Sequence, residues 1–280
     1  MKVTANCKIN LHLKVTGKLP DGYHSIETIF QEIPFGDVLE IEPSEDGNIH
    51  FSSSGIEIPD GGDNICVKAA ELLQVKHGIN NGCRIHLEKN VPIGAGLGGG
   101  SSDAASVLKS LNTLWDLELT QDELEKTGLE LGADVPFFIR GGCARGEGKG
   151  EVLMPMEPVL KNGTILLIYP HLHINTSWAY KNLNLNLTKT ADNVIFAEVS
   201  KSRAPLRHYF EDFFNDFETV VFDKYPEIGM IKEFMINEGA DFSAMSGSGS
   251  TVFGFFTNEK MLEHAIRITD NNYFVKAIKL

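Results

Sequence analysis

Five of the nine residues in Pro92-Ile93-Gly94-Ala95-Gly96-Leu97-Gly98-Gly99-Gly100 are glycine, and Ser101-Ser102 follow directly. The run lies between a strand-like stretch, Arg84–Lys89, and a helical one, so it feeds a helix N-terminus. Glycine lets the backbone approach an anion and take positive φ, while a helix start offers unpaired N–H groups and a positive dipole end. Two hydroxyls at the cap complete the chemistry of a phosphate cradle. An ordinary glycine-rich turn with a serine cap seldom needs so many glycines. A Walker loop is excluded, because Ser101 rather than lysine follows the last glycine. The letters Gly94-x-Gly96-x-x-Gly99 also fit a dinucleotide fingerprint, with Asp116 or Glu118 near its acidic position. Against this, Pro92 separates strand from glycines and no strand follows the helix to carry the acid, so a non-kinase dinucleotide-binding protein is the alternative reading. A protein-kinase loop shares the letters, yet neither H-R-D nor D-F-G occurs.

Other residues could serve a phosphate acceptor. Lys8 and Asn10 share one face of an alternating stretch, where an ammonium and an amide could meet charge and hydroxyls. Asp134 precedes Val135-Pro136, a place for a general base or for a plain helix cap. Tyr23 and His24 follow the turn Pro20-Asp21-Gly22 and could be turn decoration.

The elements that must position these groups are legible in outline. Residues 3–15 alternate, with Cys7, Ile9, Leu11, Leu13 and Val15 on a buried face and Lys8, Asn10, His12 and Lys14 on a basic, polar one. Val38–Ile41 and Ile49–Ser52 read as strands, and Asp63-Asn64-Ile65 opens a helix. Ala104, Val107, Leu108, Leu111 and Leu114 form the core stripe of the helix after the glycines, and Thr120 with Glu123 caps the next. Beyond the Met154–Pro158 stretch the order becomes strand (Thr164–Tyr169), helices (Asn215–Phe222, Glu227–Glu238), strand (Thr251–Phe256), helix (Glu259–Ile268) and strand (Tyr273–Ile278). This predicts a split β-α-β arrangement with helices on one face of a sheet. A boundary near residue 160 would make domains of residues 1–160 and 161–280.

Several segments together resemble the GHMP kinases, small-molecule kinases that act on galactose, homoserine, mevalonate and phosphomevalonate. Pro92 to Ala105 looks like their glycine motif, and the triple glycine Gly98-Gly99-Gly100 resembles the branch acting on a cytidyl diphosphate of methylerythritol. Ala5-Asn6-Cys7-Lys8-Ile9-Asn10-Leu11 is similar to an opening A-x-A-K-I-N-L, with Cys7 in place of alanine. Asp21-Gly22-Tyr23-His24, Gly132-Ala133-Asp134-Val135-Pro136-Phe137-Phe138, Asn215-Asp216-Phe217-Glu218 and Met245-Ser246-Gly247-Ser248-Gly249-Ser250 match further motifs in order. One departure is Lys149, where the family commonly carries glutamate and here the acid is Glu151. The likeness runs from residue 5 to about 254.

The resemblance implies a two-domain α+β kinase, with an N-terminal half like the second domain of ribosomal protein S5 and a ferredoxin-like C-terminal half. It implies transfer of the ATP γ-phosphoryl to the 2-hydroxyl of the cytidyl substrate in the non-mevalonate route to isoprenoid precursors, the alternative being a homoserine- or mevalonate-type kinase. Asp134 and Lys8 are then catalytic. Asn64, Lys89 and residues Pro92, Ile93, Gly94, Ala95, Gly96, Leu97, Gly98, Gly99, Gly100, Ser101 and Ser102 bind ATP. Asn10, Tyr23, His24, Tyr180, Gly247, Ser248 and Gly249 bind substrate; Tyr180 either stacks on cytosine or fills core. Mg²⁺ is expected with two polyphosphates present; Ser101 could be one ligand, while its carboxylate ligands are not assignable.

Composition agrees with a soluble enzyme. With 25 Lys and Arg against 38 Asp and Glu the formal charge is −13, a surface that repels nucleic acid. Lys201, Ser202, Arg203, Arg207 and His208 form a small basic group, read as a solvated loop. Cys7, Cys66, Cys83 and Cys143 lack zinc spacing and are expected as buried thiols. No apolar run reaches ~20 residues, and no apolar leader opens the chain, so no membrane association and a cytoplasmic location are expected.

Overall fold

The computed structural model describes residues 1–58, 64–184, 210 and 212–280. Asp63, at the expected start of the first helix, and the basic group around residues 201–208 lie outside them. The chain forms two compact units that interleave in sequence. Met1–Lys8, Phe35–Ile93 and Gly98–Gly141 make the first, and Ile9–Pro34, Gly94–Leu97 and Gly142–Leu280 the second. Strands β1 (Lys2–Lys18) and β2 (His24–Ser44) each contribute to both.

In the first unit the end of β2 pairs antiparallel with β4 (Gly82–Lys89), Val38 opposite Glu88, and β3 (Ile49–Gly55) runs parallel to β4. Ile85 and Leu87 of β4 are buried while Arg84 and Glu88 face out, the two-residue period of a half-covered sheet. Helix α1 (Ile65–His77) begins at Asn64, whose side-chain oxygen accepts the Cys66 N–H at 2.8 Å, and ends at Gly78 with φ 61°. It packs on α2 (Gly99–Leu114), which buries Ala104, Val107, Leu108 and Leu111. α3 (Gln121–Leu129) has a reciprocal Thr120–Glu123 cap and packs on the short α4 (Val135–Arg140).

In the second unit the start of β2 pairs antiparallel with β5 (Cys143–Glu147), which pairs with β6 (Val152–Pro155). The rest of this unit is β7 (Thr164–Tyr169), α5 (Thr176–Asn182), α6 (Phe217–Lys224), α7 (Pro226–Asn237), β8 (Phe242–Met245), β9 (Val252–Phe256), α8 (Glu259–Ile268) and β10 (Phe274–Lys279). The four strands form an antiparallel sheet in the order β10-β7-β9-β8, the split β-α-β arrangement expected. Leu166, Ile168, Val252 and Phe256 meet Val221, Ile228, Met235, Leu262 and Ala265 of the helices in one core. The expected mixed α+β class is the one observed.

Three features add to the expected elements or change them. The polar face of β1 is not solvated: Lys8, Asn10 and His12 are only 4%, 2% and 1% exposed. Around His12 the cause is the segment before α6, which runs beside β1. Leu13 N–H donates to the Phe214 carbonyl, Asp216 N–H donates to the Leu13 carbonyl, and Phe214 packs edge-on to the imidazole at 4.5 Å. Burial, with Lys14 and Arg145 nearby, pushes His12 down to about 4. Second, the strand expected at Val38–Ile41 is one end of a 21-residue strand. Third, the helix expected from Asn215 begins at Phe217, because Asn215 itself is turned to other work described below.

All four cysteines are free and buried, and burial pushes the thiols of Cys83 and Cys143 up to about 11 and 12. Among the described residues no helix is long and apolar enough to cross a membrane.

Candidate active site

The glycine run becomes helix sooner than its composition suggests. Gly98, at φ 71°, is the N-cap of α2, and Gly99 and Gly100 are already its first turn. No side chain caps this end, so the first-turn N–H groups lack intrahelical acceptors, as an anion site requires. The last serine is otherwise engaged: Ser102 donates its hydroxyl to the Asn6 carbonyl at 2.6 Å, and its N–H returns to the Gly98 carbonyl. Any contact from Ser102 to a ligand is therefore excluded from its hydroxyl proton, whereas Ser101 stays half-exposed. A Cβ on Gly98 would meet the Phe138 ring and, at 3.2 Å, Cε of Lys8. A Cβ on Gly99 would meet Val91 and, at 3.2 Å, the Lys89 ammonium. Gly99 is thus needed for close packing of the helix on the strand end, and Gly98 to let the Lys8 stem pass.

Lys8 reaches toward Asp134, Nζ to Oδ2 3.8 Å. Burial lowers the Lys8 pKa, and the carboxylate opposes that shift. Asp134 occupies the N-cap position of α4, yet its side chain makes no cap hydrogen bond and is 34% exposed. Val135-Pro136 start the helix without it. A carboxylate at a helix start that caps nothing and faces a buried lysine is available to take a proton.

Lys89 ends β4 inside the unit, not at its surface. Its ammonium lies 2.5 Å from Oδ2 of Asp37 and 2.7 Å from Oδ2 of Asp103, all three side chains buried. The other oxygen of Asp37 accepts the N–H groups of Asn90 and Val91, the two residues before Pro92. Oδ1 of Asp103 is buried without a hydrogen-bond partner. Burial pushes Asp103 up to about 7, with Lys89 opposing and Asp37 adding to it. Burial also works against the Lys89 ammonium, but the two carboxylates outweigh it and hold its pKa above the ordinary value. Neither aspartate was singled out by the sequence reading. Their signal would have been an acid in the first turns of α2 and another in β2, both common on solvated surfaces.

In the second unit, Gly94–Leu97 is knitted to the C-terminal glycine motif. Ser246 donates its hydroxyl to the Gly96 carbonyl at 2.9 Å and accepts the Asn10 N–H at 3.3 Å, while Thr251 N–H donates to the Ala95 carbonyl. A Cβ on Gly96 would collide with the Ser246 carbonyl, and Gly96 has φ 81°. Asn10 donates its amide to Thr28 Oγ1 at 2.8 Å, and its carbonyl oxygen would be 3.5 Å from a Cβ on Gly247. Ser248 and Thr176 share a hydrogen bond of 2.9 Å that ties this motif to α5.

The N-D-F-E segment, for which sequence reading supplied no role, holds that motif. Asn215 donates its amide to the Met245 and Gly247 carbonyls, both at 2.8 Å. Asp216 accepts the Val15 N–H and Glu218 accepts the Met245 N–H.

Aromatic side chains far apart in sequence gather within the same unit. His24 stacks on Tyr180, centroids 4.6 Å apart and planes at 13°, and Tyr180 meets Phe217 edge-on. Burial and Lys18 lower the His24 pKa, which favours the neutral ring. Tyr23 is exposed, with the Lys149 ammonium 4.0 Å from its ring centroid. The same ammonium pairs with Asp21 at 2.7 Å, and Glu151 accepts the Lys149 N–H. The departure at Lys149 therefore braces the Asp21–His24 turn.

Among the described residues no group of three or more His, Cys, Asp or Glu side chains is placed to hold a metal. Ser101, half-exposed in the first turn of α2, offers one hydroxyl oxygen to an ion carried mainly by phosphate oxygens.

Two family models match the chain: the GHMP kinases N-terminal domain over residues 64–142 and the GHMP kinases C-terminal over residues 199–274. The chain is 43% identical over 260 residues to a 4-diphosphocytidyl-2-C-methyl-D-erythritol kinase of Chloroherpeton thalassium, covering 92% of this chain and 90% of the relative. It is 41% identical over 261 residues to the kinase of the same name in Clostridioides difficile, covering 93% and 88%. A crystal structure of a 4-(cytidine 5'-diphospho)-2C-methyl-D-erythritol kinase superposes over 100% of both chains with a TM-score of 0.81 at 31% identity.

Proposed function

Because the chain belongs to the GHMP kinase family, we propose that it transfers the γ-phosphoryl of ATP to the 2-hydroxyl of 4-diphosphocytidyl-2-C-methyl-D-erythritol. The products are the 2-phosphate and ADP, in the non-mevalonate route to isoprenoid precursors. The observation that carries this reading is the uncapped Asp134 carboxylate facing the buried Lys8, whose stem passes Gly98 at the head of the glycine helix. Phosphoryl transfer needs little covalent chemistry from a protein; it needs a positioned acceptor, a proton sink and donors around the moving charge.

In this reading Asp134 accepts the hydroxyl proton, and Lys8, 3.8 Å from it, stabilises negative charge on the acceptor oxygen. The first-turn N–H groups of α2, with residues 92–102, take the phosphates. Asn64 and Lys89 belong to the adenine side; Lys89, committed to Asp37 and Asp103, acts there by fixing the strand end and helix start. Tyr23, His24 and Tyr180 hold the cytosine, Asn10 a substrate hydroxyl, and Gly247, Ser248 and Gly249 the phosphate-bearing arm. Bound Mg²⁺ would be held by the phosphates and the Ser101 hydroxyl, and would supply charge neutralisation between the two anions. The division of labour is proposed to fall near residue 160, between the two matched segments.

A ligand-protection experiment tests the nucleotide. Saturating ATP with Mg²⁺ at 100-fold above its Kd should stabilise the fold by about 2.7 kcal/mol, visible as a rise in Tm, while NADP should give none. A rise with NADP and none with ATP would reject the kinase.

A further inference from the structure

The link between β7 and α5 holds an imidazole over the glycine loop. His171 has φ 58°, an uncommon backbone for a residue with a side chain. The Leu172 carbonyl accepts the Ser250 hydroxyl at 2.5 Å. Ile174 is buried, and its Cγ1 would lie 3.6 Å from a Cβ on Gly249. His173 is therefore pinned on both sides, yet its own side chain is exposed. Among the described residues that side chain has no hydrogen bond, ion pair or ring contact.

Its ring lies against Gly94. A Cβ on Gly94 would come within 2.5 Å of Nδ1 and 2.7 Å of Cε1, so the imidazole edge fills the space that any other residue would claim. Gly94 also has φ 65°, so glycine is required there twice over. Nδ1, Cε1 and Cγ are the ring atoms nearest that point, so Nε2 lies on the far side of the ring from it. Gly94, Gly96, Gly247 and Gly249 all have positive φ in this unit, the backbone conformation from which anion-binding N–H concavities are built. A held imidazole beside such backbone can offer an N–H to an anion bound there.

We propose that His173 is a further substrate-contacting residue, donating an imidazole N–H to a phosphate oxygen of a nucleotide bound at Gly94–Leu97. The inference rests on the kinase reading for the presence of two such ligands, ATP and the cytidyl diphosphate, and the experiment separates them. Kd for ADP with Mg²⁺ and Kd for the cytidyl substrate are measured by calorimetry on wild type, His173→Ala and His173→Gln, alongside Tm and turnover. His173→Ala should weaken one of the two ligands by about tenfold, the scale of one hydrogen bond to a charged group. His173→Gln, which keeps an N–H donor, should recover most of the loss, with Tm unmoved in both variants. The ligand affected identifies the phosphate. Unchanged Kd values in His173→Ala, or a loss that Gln does not restore, would overturn the proposal. A wild type that binds neither ligand and turns over nothing would instead overturn the kinase reading, and this inference with it.

Discussion

Asp134→Asn should lower kcat by about 10²–10⁴-fold while leaving the protein folded and able to bind ATP. The substitution keeps size and one amide oxygen but removes the basic oxygen proposed to take the hydroxyl proton. It also removes the charge 3.8 Å from Lys8. Stability should change little, because the Asp134 side chain caps no backbone N–H of α4. The shift should not exceed that of an ordinary lost cap, about 1 kcal/mol. Nucleotide affinity should hold, since the proposed cradle is residues 92–102. A plain capping aspartate predicts near-normal turnover with little change in stability, because Asn caps a helix about as well as Asp. Steady-state kcat on this one variant separates the two outcomes, with the thermal midpoint as the check on folding.

The second large effect is expected at the buried triad. Asp37→Ala removes a carboxylate that pairs with Lys89 and accepts two N–H groups at the mouth of the glycine loop. Breaking a buried pair by deleting one member typically costs about 3–5 kcal/mol, and the urea midpoint should fall accordingly. Asp103→Asn should behave differently. Burial raises the folded pKa of Asp103 to about 7, above the ~3.9 of an unfolded aspartate. The folded state therefore holds the extra proton between roughly pH 4 and pH 7, and this group's stabilisation is lost as pH rises through that window. The amide, neutral throughout, should flatten that slope. An Asp37→Ala protein as stable as wild type, or an Asp103→Asn protein with the wild-type slope, would contradict the charge assignment of the triad.

The fold was legible where its cause is local. The alternation in β1, the Thr120–Glu123 cap and the core stripe of α2 are written in neighbouring residues, and the structure has all three. What the sequence could not tell is which polar faces are covered. Asn10 and His12 look like solvated strand residues until Thr28, Ser246 and Phe214 are brought beside them, and Lys8 until Asp134 and Gly98 are. The same holds for Lys89, whose partners Asp37 and Asp103 lie 52 and 14 residues away. At the candidate site, glycine density alone pointed to a phosphate cradle. Asp134 and Lys8 stood out only through the motifs, since spacing does not distinguish a cap from a base. Lys149 was noticed as a departure, and its contact with Asp21 and Tyr23 supplies the reason for a cation there.

The central claim is phosphoryl transfer to one acceptor. The purified protein is incubated with ATP and Mg²⁺ and, separately, with 4-diphosphocytidyl-2-C-methyl-D-erythritol, mevalonate, homoserine or no acceptor, and ADP release is followed. The account predicts rapid ADP release with the cytidyl substrate alone, accompanied by a new phosphate monoester signal in the ³¹P spectrum of the product. Turnover of mevalonate or homoserine with none of the cytidyl substrate would contradict it.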